Sequence, residues 1–572
     1  MKERLWMPEW VKQYRRDWLG GDLSAGLIVS VMLIPQSLAY ALLAGLPPQV
    51  GLYASVLPLV AYALLGSSMT LAVGPVAIIS LMTASALTPL AVAGSGEYVV
   101  LAMMLALMSG VLLFIAGVMR LGFLAYFLSH SVISGFISGT AILITLGQLK
   151  YLLGMPLPSG SALGMVAALP TALQRINPSA ATMGISAIVF LIFARTGLPT
   201  ILNMLGVAPR VGAMLSRLAP MLAIIVATTY CAMNQIDQTA QVSIVGAVPS
   251  GLPALALPSI DINALQALAL PALLISLVGF VESVSVAQSL ALKRGERISP
   301  NKELMGIGVA NVASAVSGGF PVTGGFARSV VNYDAGARSP GAGIVSAIIM
   351  SVVIVAFTGW FYYLPHAVLA ATIIVAVLTL VDFKTVITTW RYDKADAVAM
   401  LLTFAGVLLL GVEEGILLGV ALSLAVLVWR SSHPHMAVVG RVPNTEHFRN
   451  IDRHEVATLP GLIALRVDES LYFANAQIVE AKIEQLVQEQ PKTRCVLLIM
   501  SAVNQLDTTA LQMLTELEAS LSARGIRLQF AEVKGPVLDK LQFSALGQRM
   551  RERIFLSTHQ AFNAFANEDA MH

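Results

Sequence analysis

Arg328 follows directly on a Gly/Pro-rich interruption, Gly318-Gly319-Phe320-Pro321-Val322-Thr323-Gly324-Gly325, within an otherwise apolar stretch. A guanidinium at the centre of a membrane costs roughly 2.5–3.5 kcal/mol on insertion scales, so it needs a partner or a watery cavity. A second interruption, Leu71-Ala72-Val73-Gly74-Pro75-Val76, lies much earlier. Backbone unwound at membrane depth persists only where protein or a cavity lines it, and paired interruptions in corresponding parts of two halves point to the binding site of a carrier. Helices resuming after Pro75 and after Thr323 aim backbone N–H groups at Val76, Ala77, Phe326 and Ala327, with the positive ends of their dipoles, at the membrane midplane. One break alone is accounted for by a kink between packed helices. Two matched breaks with an arginine beside one describe a seat for an anion.

Glu282 is the natural companion of Arg328, because residues 273–281 before it and 284–286 after it are apolar and place a carboxyl inside a span. Two readings are open: a permanent structural salt bridge, or a carboxyl in a low-dielectric site that exchanges protons near neutral pH. Gln36 and Tyr40 follow Pro35 at i, i+4 spacing, which puts an amide and a phenol on one helix face. Both can donate hydrogen bonds to a dianion, and both also serve to glue helices together. The carboxylate-rich spot at Glu413 and Glu414 has no nucleophile or metal constellation beside it, so neither an enzyme nor a cofactor is expected.

The chain that must position these groups has 572 residues, 56% hydrophobic and 12% charged, so water cannot be the solvent for most of its surface. About fourteen apolar stretches near the ~20-residue span requirement run from residue 23 to 429. The first covers 23–46 and is interrupted at Pro35; the broken stretch falls third in each half, and a polar segment at 234–263 separates the halves. Seven plus seven spans with opposite starting sides make an inverted repeat. The three-part division is 1–20, a basic segment with Lys2, Arg4, Trp6, Trp10 and Trp18; 21–430, the spans; and 431–572, a soluble appendage. The first segment lacks a cleavage pattern and reads as an interfacial cytoplasmic stretch. Lys and Arg, among them Arg120, Arg195, Arg210, Lys293, Arg294, Arg338 and Lys384, gather in loops on one side, which puts both termini in the cytoplasm. Two distant cysteines, Cys231 and Cys495, form no disulfide framework, and a net charge of +3 does not suit nucleic acid.

The appendage alternates strand and helix. Residues 462–467, 495–500 and 526–530 have strand patterns, and 476–490 and 508–523 have helical periodicity. Such alternation indicates a small α/β domain.

The runs Asp22-Leu23-Ser24-Ala25-Gly26-Leu27, Ile34-Pro35-Gln36-Ser37-Leu38-Ala39-Tyr40-Ala41, Leu46-Pro47-Pro48-Gln49-Val50-Gly51-Leu52-Tyr53, Asn301-Lys302-Glu303-Leu304 and Phe326-Ala327-Arg328-Ser329-Val330-Val331-Asn332 resemble the SulP sulfate permease family, and the tail resembles the STAS domain that ends its members. The resemblance implies an α-helical polytopic membrane protein of fourteen transmembrane segments in a 7+7 inverted repeat, with core and gate domains and a cytoplasmic α/β STAS domain, dimeric, in the inner membrane. It implies elevator transport with the anion between the third and tenth spans, sulfate contacts from Gln36, Tyr40 and Arg328, and proton handling by Glu282. Ala327 departs from the serine of sulfate-binding members. Val286 stands where sodium-coupled bicarbonate members place a hydroxyl, so proton coupling fits better than sodium. In the tail, Asn504-Gln505-Leu506-Asp507-Thr508-Thr509-Ala510 resembles the phosphorylated loop of anti-sigma-factor antagonists, with Thr508 at the modified position; the other reading is that Asp507 and Thr508 cap the following helix.

The expected function is proton-coupled sulfate uptake. Its partners are an inorganic oxyanion, a proton, membrane lipid, a second copy of the chain and a cytoplasmic protein on the tail. The alternatives are bicarbonate, dicarboxylate or another anion on the same architecture, and a membrane sensor that binds without translocating.

Overall fold

The computed structural model describes residues 8–126, 129–158, 161–206, 209–259 and 261–569; Lys2, Arg4 and Trp6 of the basic N-terminal stretch lie outside them. The chain forms two compact units, Met1–Ser423 and Leu424–His572. Among the described residues nine helices are long and apolar enough to cross a membrane. One of the nine, His366–Tyr392, contains the twelfth segment as its first helix, His366–Val377, and with five shorter helices they give seven segments in each half. In the first half these are Arg16–Leu43, Pro48–Leu65, Ala77–Leu87, Gly96–Val118, His130–Leu152, Pro178–Met204 and Pro209–Asn234. In the second they are Ile262–Arg294, Pro300–Val316, Phe326–Asp334, Gly341–Ala356, His366–Val377, Lys394–Leu409 and Val412–Ser432.

The first span does not break where its proline predicted: helix Arg16–Leu43 runs straight through Pro35. A proline in a membrane helix frees one carbonyl without ending the helix when neighbouring groups re-satisfy it. Two short helices were not legible as elements, Ala162–Ala172 and Phe383–Tyr392; the second carries its apolar residues on one side and has no buried residue.

The spans sort into two bundles, each drawing on both halves. In one, the ninth span packs on the fourth and second, and the first packs on the tenth and eleventh. In the other, the fifth packs on the twelfth and thirteenth, and the sixth on the seventh and twelfth. Lipid provides no hydrophobic drive between helices, so close backbone approach matters. Gly110 and Gly308 supply it: a Cβ on Gly110 would come within 2.7 Å of the Val312 nitrogen, and one on Gly308 within 2.7 Å of the Phe114 nitrogen.

The third and tenth spans meet head to head. Strand β1 (Val73–Gly74) pairs antiparallel with β2 (Thr323–Gly324), Val73 opposite Gly324 and Gly74 opposite Thr323. So short a ladder leaves most of the unwound backbone unpaired, and side chains from neighbouring spans complete it. Asn311 of the ninth span donates from Nδ2 to the Val322 carbonyl (2.8 Å) and accepts the Val322 N–H at Oδ1 (2.9 Å). Ser314 donates to the Phe320 carbonyl (2.6 Å). Ser283 accepts the Gly324 N–H (2.9 Å), and Thr323 donates to the Gly279 carbonyl (2.6 Å). From the tenth span, Ser329 accepts the Ala72 N–H (2.9 Å) and Asn332 donates to the Thr70 carbonyl (3.0 Å).

The second unit is a six-stranded sheet in the order β4-β3-β5-β6-β7-β8. Strands β5 (Leu462–Val467), β6 (Cys495–Ile499), β7 (Arg527–Ala531) and β8 (Ile554–Phe555) are parallel, while β3 (Met436–Arg441) is antiparallel to both β5 and β4 (Phe448–Asn450). Helices Ala476–Glu489 and Thr508–Ala523 cover the face bearing Val496 and Leu498. Helix Thr558–Asp569 covers the other, where Phe562 and Phe565 meet Cys495, Leu497 and Ile499. Burial on both faces explains why β6 reads as an unbroken apolar run. Strand β3 and the edge strands β4 and β8 are partly exposed, and β4 and β8 are only two or three residues long, which hid them in the sequence.

Replacing Asn311 by Leu, of similar volume, strands the Val322 N–H and C=O at a cost on the order of 2 kcal/mol each. A lower melting midpoint in detergent and reduced anion uptake are the expected results; an unchanged midpoint removes Asn311 from this role. In the tail, burial pushes the Cys495 thiol up to about 12. In a Cys231→Ser variant the folded protein should therefore resist N-ethylmaleimide near neutral pH and react only after urea opens the sheet, read by mass spectrometry.

Candidate anion site

Immediately beyond the β1–β2 contact both chains become helical, and neither helix has a side-chain cap. The first intrahelical bonds are Ser80 N–H to the Val76 carbonyl and Ser329 N–H to the Gly325 carbonyl. The N–H groups of residues 77–79 and 326–328 therefore have no partner within their own helices. Because β1 and β2 are antiparallel, the two positive ends are brought together at one place.

Arg328 lies in that place and is 2% exposed. Its Nη1 donates to the Pro75 carbonyl (2.6 Å) and to Gln36 Oε1 (3.3 Å), so one nitrogen ties the tenth span to the third and the first. Among the described residues its Nε and Nη2 are buried without a partner. Backbone packs tightly around the guanidinium: a Cβ on Gly325 would lie 3.0 Å from Nη2, and one on Gly74 3.2 Å from it. Gly74 also has φ +154°, a conformation that L side chains rarely adopt. Glycine is thus required there twice over, by the backbone and by the arginine.

Tyr40 is buried one turn beyond Gln36, and both it and Glu282 are within electrostatic reach of Arg328. The direct pairing of Glu282 with Arg328 expected from the sequence is not formed. Among the described residues Glu282 Oε2 has no hydrogen-bonding partner, and Glu282 lines a separate cavity of about 20 Å³ with Ile78, Ile133, Phe136, Val278 and Ile416. Two other buried carboxylates provide the contrast. Glu303 accepts from the Ser67 N–H (2.8 Å), Ser67 Oγ (2.6 Å), the Ser68 N–H (2.9 Å) and Tyr62 Oη (2.8 Å). Asp22 accepts from the Arg338 N–H (2.7 Å), the Ser339 N–H (2.9 Å) and Ser339 Oγ (2.5 Å). Donors in that number satisfy a buried carboxylate and hold it in place. Glu282 has no such set.

A cavity of about 410 Å³ adjoins the break, and Gln36 and Ala327 are in its wall. Val76 and Ala77 are buried at their helix end, while Phe326 is 51% exposed. The structure thus brings Gln36, Tyr40, Val76, Ala77, Phe326, Ala327 and Arg328 to one region and leaves Glu282 at its border. Val286, one turn after Glu282, is a buried apolar residue with no ligand to offer a cation. Thr508 belongs to the tail unit, exposed at the first position of its helix, and Asp507 caps that helix by accepting the Ala510 N–H (2.8 Å).

Sequence reasoning missed the role of the groups that hold the break together, Asn311, Ser283, Thr323 and Ser329, because which distant backbone each small polar side chain meets is not encoded locally. Asp22 and Glu303 appeared only as letters in motifs. Arg195, counted among loop charges, is inside the sixth span and lines the 410 Å³ cavity with Arg217.

Comparison with known proteins places this geometry. Residues 19–403 match the model of the sulfate permease family and residues 453–561 that of the STAS domain. The chain is 35% identical over 566 residues to sulfate transporter 4.1, chloroplastic, of Arabidopsis thaliana, covering 96% of this chain and 81% of that protein. It is 34% identical to a probable sulfate transporter of Mycobacterium tuberculosis, covering 98% of each. Among solved structures, murine Slc26a9, an anion transporter captured in the inward-facing state, matches with a TM-score of 0.87 at 22% identity, covering 98% of this chain and 93% of that one. The transmembrane domain of the cyanobacterial bicarbonate transporter BicA matches with a TM-score of 0.60 at 24% identity, covering 72% and 98%. The chain therefore belongs to the sulfate permease family, as a multi-pass integral membrane transporter with a C-terminal STAS domain and not an enzyme.

Proposed function

We propose that this protein carries sulfate across the membrane together with protons, by movement of the bundle that contains Arg328 against the other. The observation that carries the reading is the convergence of two uncapped helix ends on Arg328, whose Nε and Nη2 are buried without partners. The names of the relatives favour sulfate. Ala327 contributes no hydroxyl to this seat, so recognition falls on Gln36, Tyr40, the backbone N–H groups and Arg328.

Glu282 supplies the coupling. An ionised carboxyl and a dianion near one guanidinium leave an excess of negative charge in a site of low dielectric, where such repulsion is costly. Protonation of Glu282 removes one competitor, so proton and anion each favour the other's binding by the same factor. The absence of donors around Glu282 supports this role, since nothing pins it in one protonation state. Movement of a bundle is supported by the cross-links at the break, which join the first, third, eighth, ninth and tenth spans into one body. The 410 Å³ cavity lies between that body and the sixth, seventh and twelfth spans. With the basic loops inside, both termini and the STAS domain are cytoplasmic.

Two outcomes test the reading in proteoliposomes. Sulfate uptake by the parent rises when the outside is acidified, whereas Glu282→Gln is expected to transport at a rate indifferent to pH; acid stimulation that survives the substitution sinks the coupling role. Arg328→Ala removes charge-assisted hydrogen bonds of about 1.5–3 kcal/mol, so sulfate affinity should fall roughly 10- to 100-fold. Retained affinity defeats the site.

A further inference from the structure

The cavity that reaches Gln36 and Ala327 has a second cationic level. Its wall includes Arg195 of the sixth span and Arg217 of the seventh, with Thr372 of the twelfth and Thr379 just after it. The sixth and seventh spans are packed neighbours that turn on the same side. Arg195 lies nine residues before the end of Pro178–Met204 and Arg217 eight after the start of Pro209–Asn234. At 1.5 Å rise per residue both are roughly 12–14 Å from that turn. Two guanidiniums at one depth inside a membrane carry a cost that needs a reason. Arg217 has a partial one: its Nη2 is 2.6 Å from Oδ2 of Asp334. Arg195 makes no hydrogen bond or ion pair among the described residues. Asp334 is the last residue of the helix that carries Arg328, six residues earlier, which sets this level about 9 Å along the helix from the seat.

We propose that Arg195 and Arg217 form a second anion subsite, at which an inorganic oxyanion is held before or after it occupies the seat at Arg328. Arg195 supplies an unshared cation and Arg217 a shared one. Asp334 competes with the anion for Arg217 and keeps the hold weak enough for the anion to move on. The inference rests on the reading that the anion passes through this cavity to Arg328.

Cysteine protection separates the two levels. Ser216, beside Arg217 in the cavity wall, is replaced by Cys, and its modification by N-ethylmaleimide is timed with and without sodium sulfate. The unsubstituted chain, whose Cys231 and Cys495 are buried, serves as background. In the Arg328→Ala background, sulfate should still slow the modification severalfold. Adding either Arg195→Gln or Arg217→Gln should abolish that protection while leaving the rate without sulfate and the elution profile unchanged. Asp334→Asn should lower the sulfate concentration needed for half protection. Protection in the parent that disappears with Arg328→Ala overturns the second subsite and leaves the first intact. Protection in neither background overturns it as well, and the seat is then judged by uptake alone. Protection that persists without Arg195 and Arg217 assigns the anion to other groups and also overturns the proposal.

Discussion

Backbone that leaves helical geometry inside a membrane must find every hydrogen bond within the protein, and the arrangement of this transporter follows from how two such stretches meet that demand. Strands β1 and β2 satisfy part of each other's backbone over two residues apiece. The rest is met by polar side chains from the eighth, ninth and tenth spans and by Arg328 on the Pro75 carbonyl. Meeting the constraint in this way has a geometric result. The bonds of the break consume its carbonyls and its inward N–H groups, and what remains unpaired is the first turn of each following helix. The solved hydrogen-bonding problem thus leaves two helix dipoles and one guanidinium concentrated where the ladder ends.

Charge inside the first unit is distributed by the same logic. Asp22 and Glu303 are buried carboxylates surrounded by donors, and both anchor loops, Asp22 the one after the tenth span and Glu303 the one before the third. They are structural carboxylates. Glu282 has the same chemistry without the donors and lines a small cavity with apolar side chains. Arg328 shows the converse: one nitrogen is committed to structure and two are not. Position in the hydrogen-bond network, and not residue type, separates scaffold from working group.

Much of this was legible before any coordinates. The two Gly/Pro breaks, Arg328, Glu282 and the Gln36/Tyr40 pair stand out because each violates an apolar pattern, and violations are rare enough to notice. The three central tail strands were legible from their dense apolar residues, unbroken in β6 and interrupted by Arg466 in β5 and by Gln529 in β7. Where the pattern was ambiguous the reading failed in a regular way. Pro35 suggested an interruption that the helix does not have. Arg195 read as a loop charge because span boundaries cannot be drawn within several residues from hydropathy. Asn311 gave no signal at all and Ser329 none of its role, since an amide or hydroxyl in a helix looks the same whether or not it holds a distant backbone.

Alone, the sequence determined that the chain is a fourteen-span membrane protein with an α/β tail, and which residues break the rules of an apolar span, because composition and periodicity are local and burial in lipid is unforgiving of charge. Only the tertiary structure decided what those residues meet. That Arg328 bonds Pro75 and Gln36 and not Glu282, that Asn311 holds the break, and that Arg195 and Arg217 share one cavity depend on contacts between segments up to about three hundred residues apart in the chain. Distances of that kind are set by packing, and no spacing along the chain encodes them.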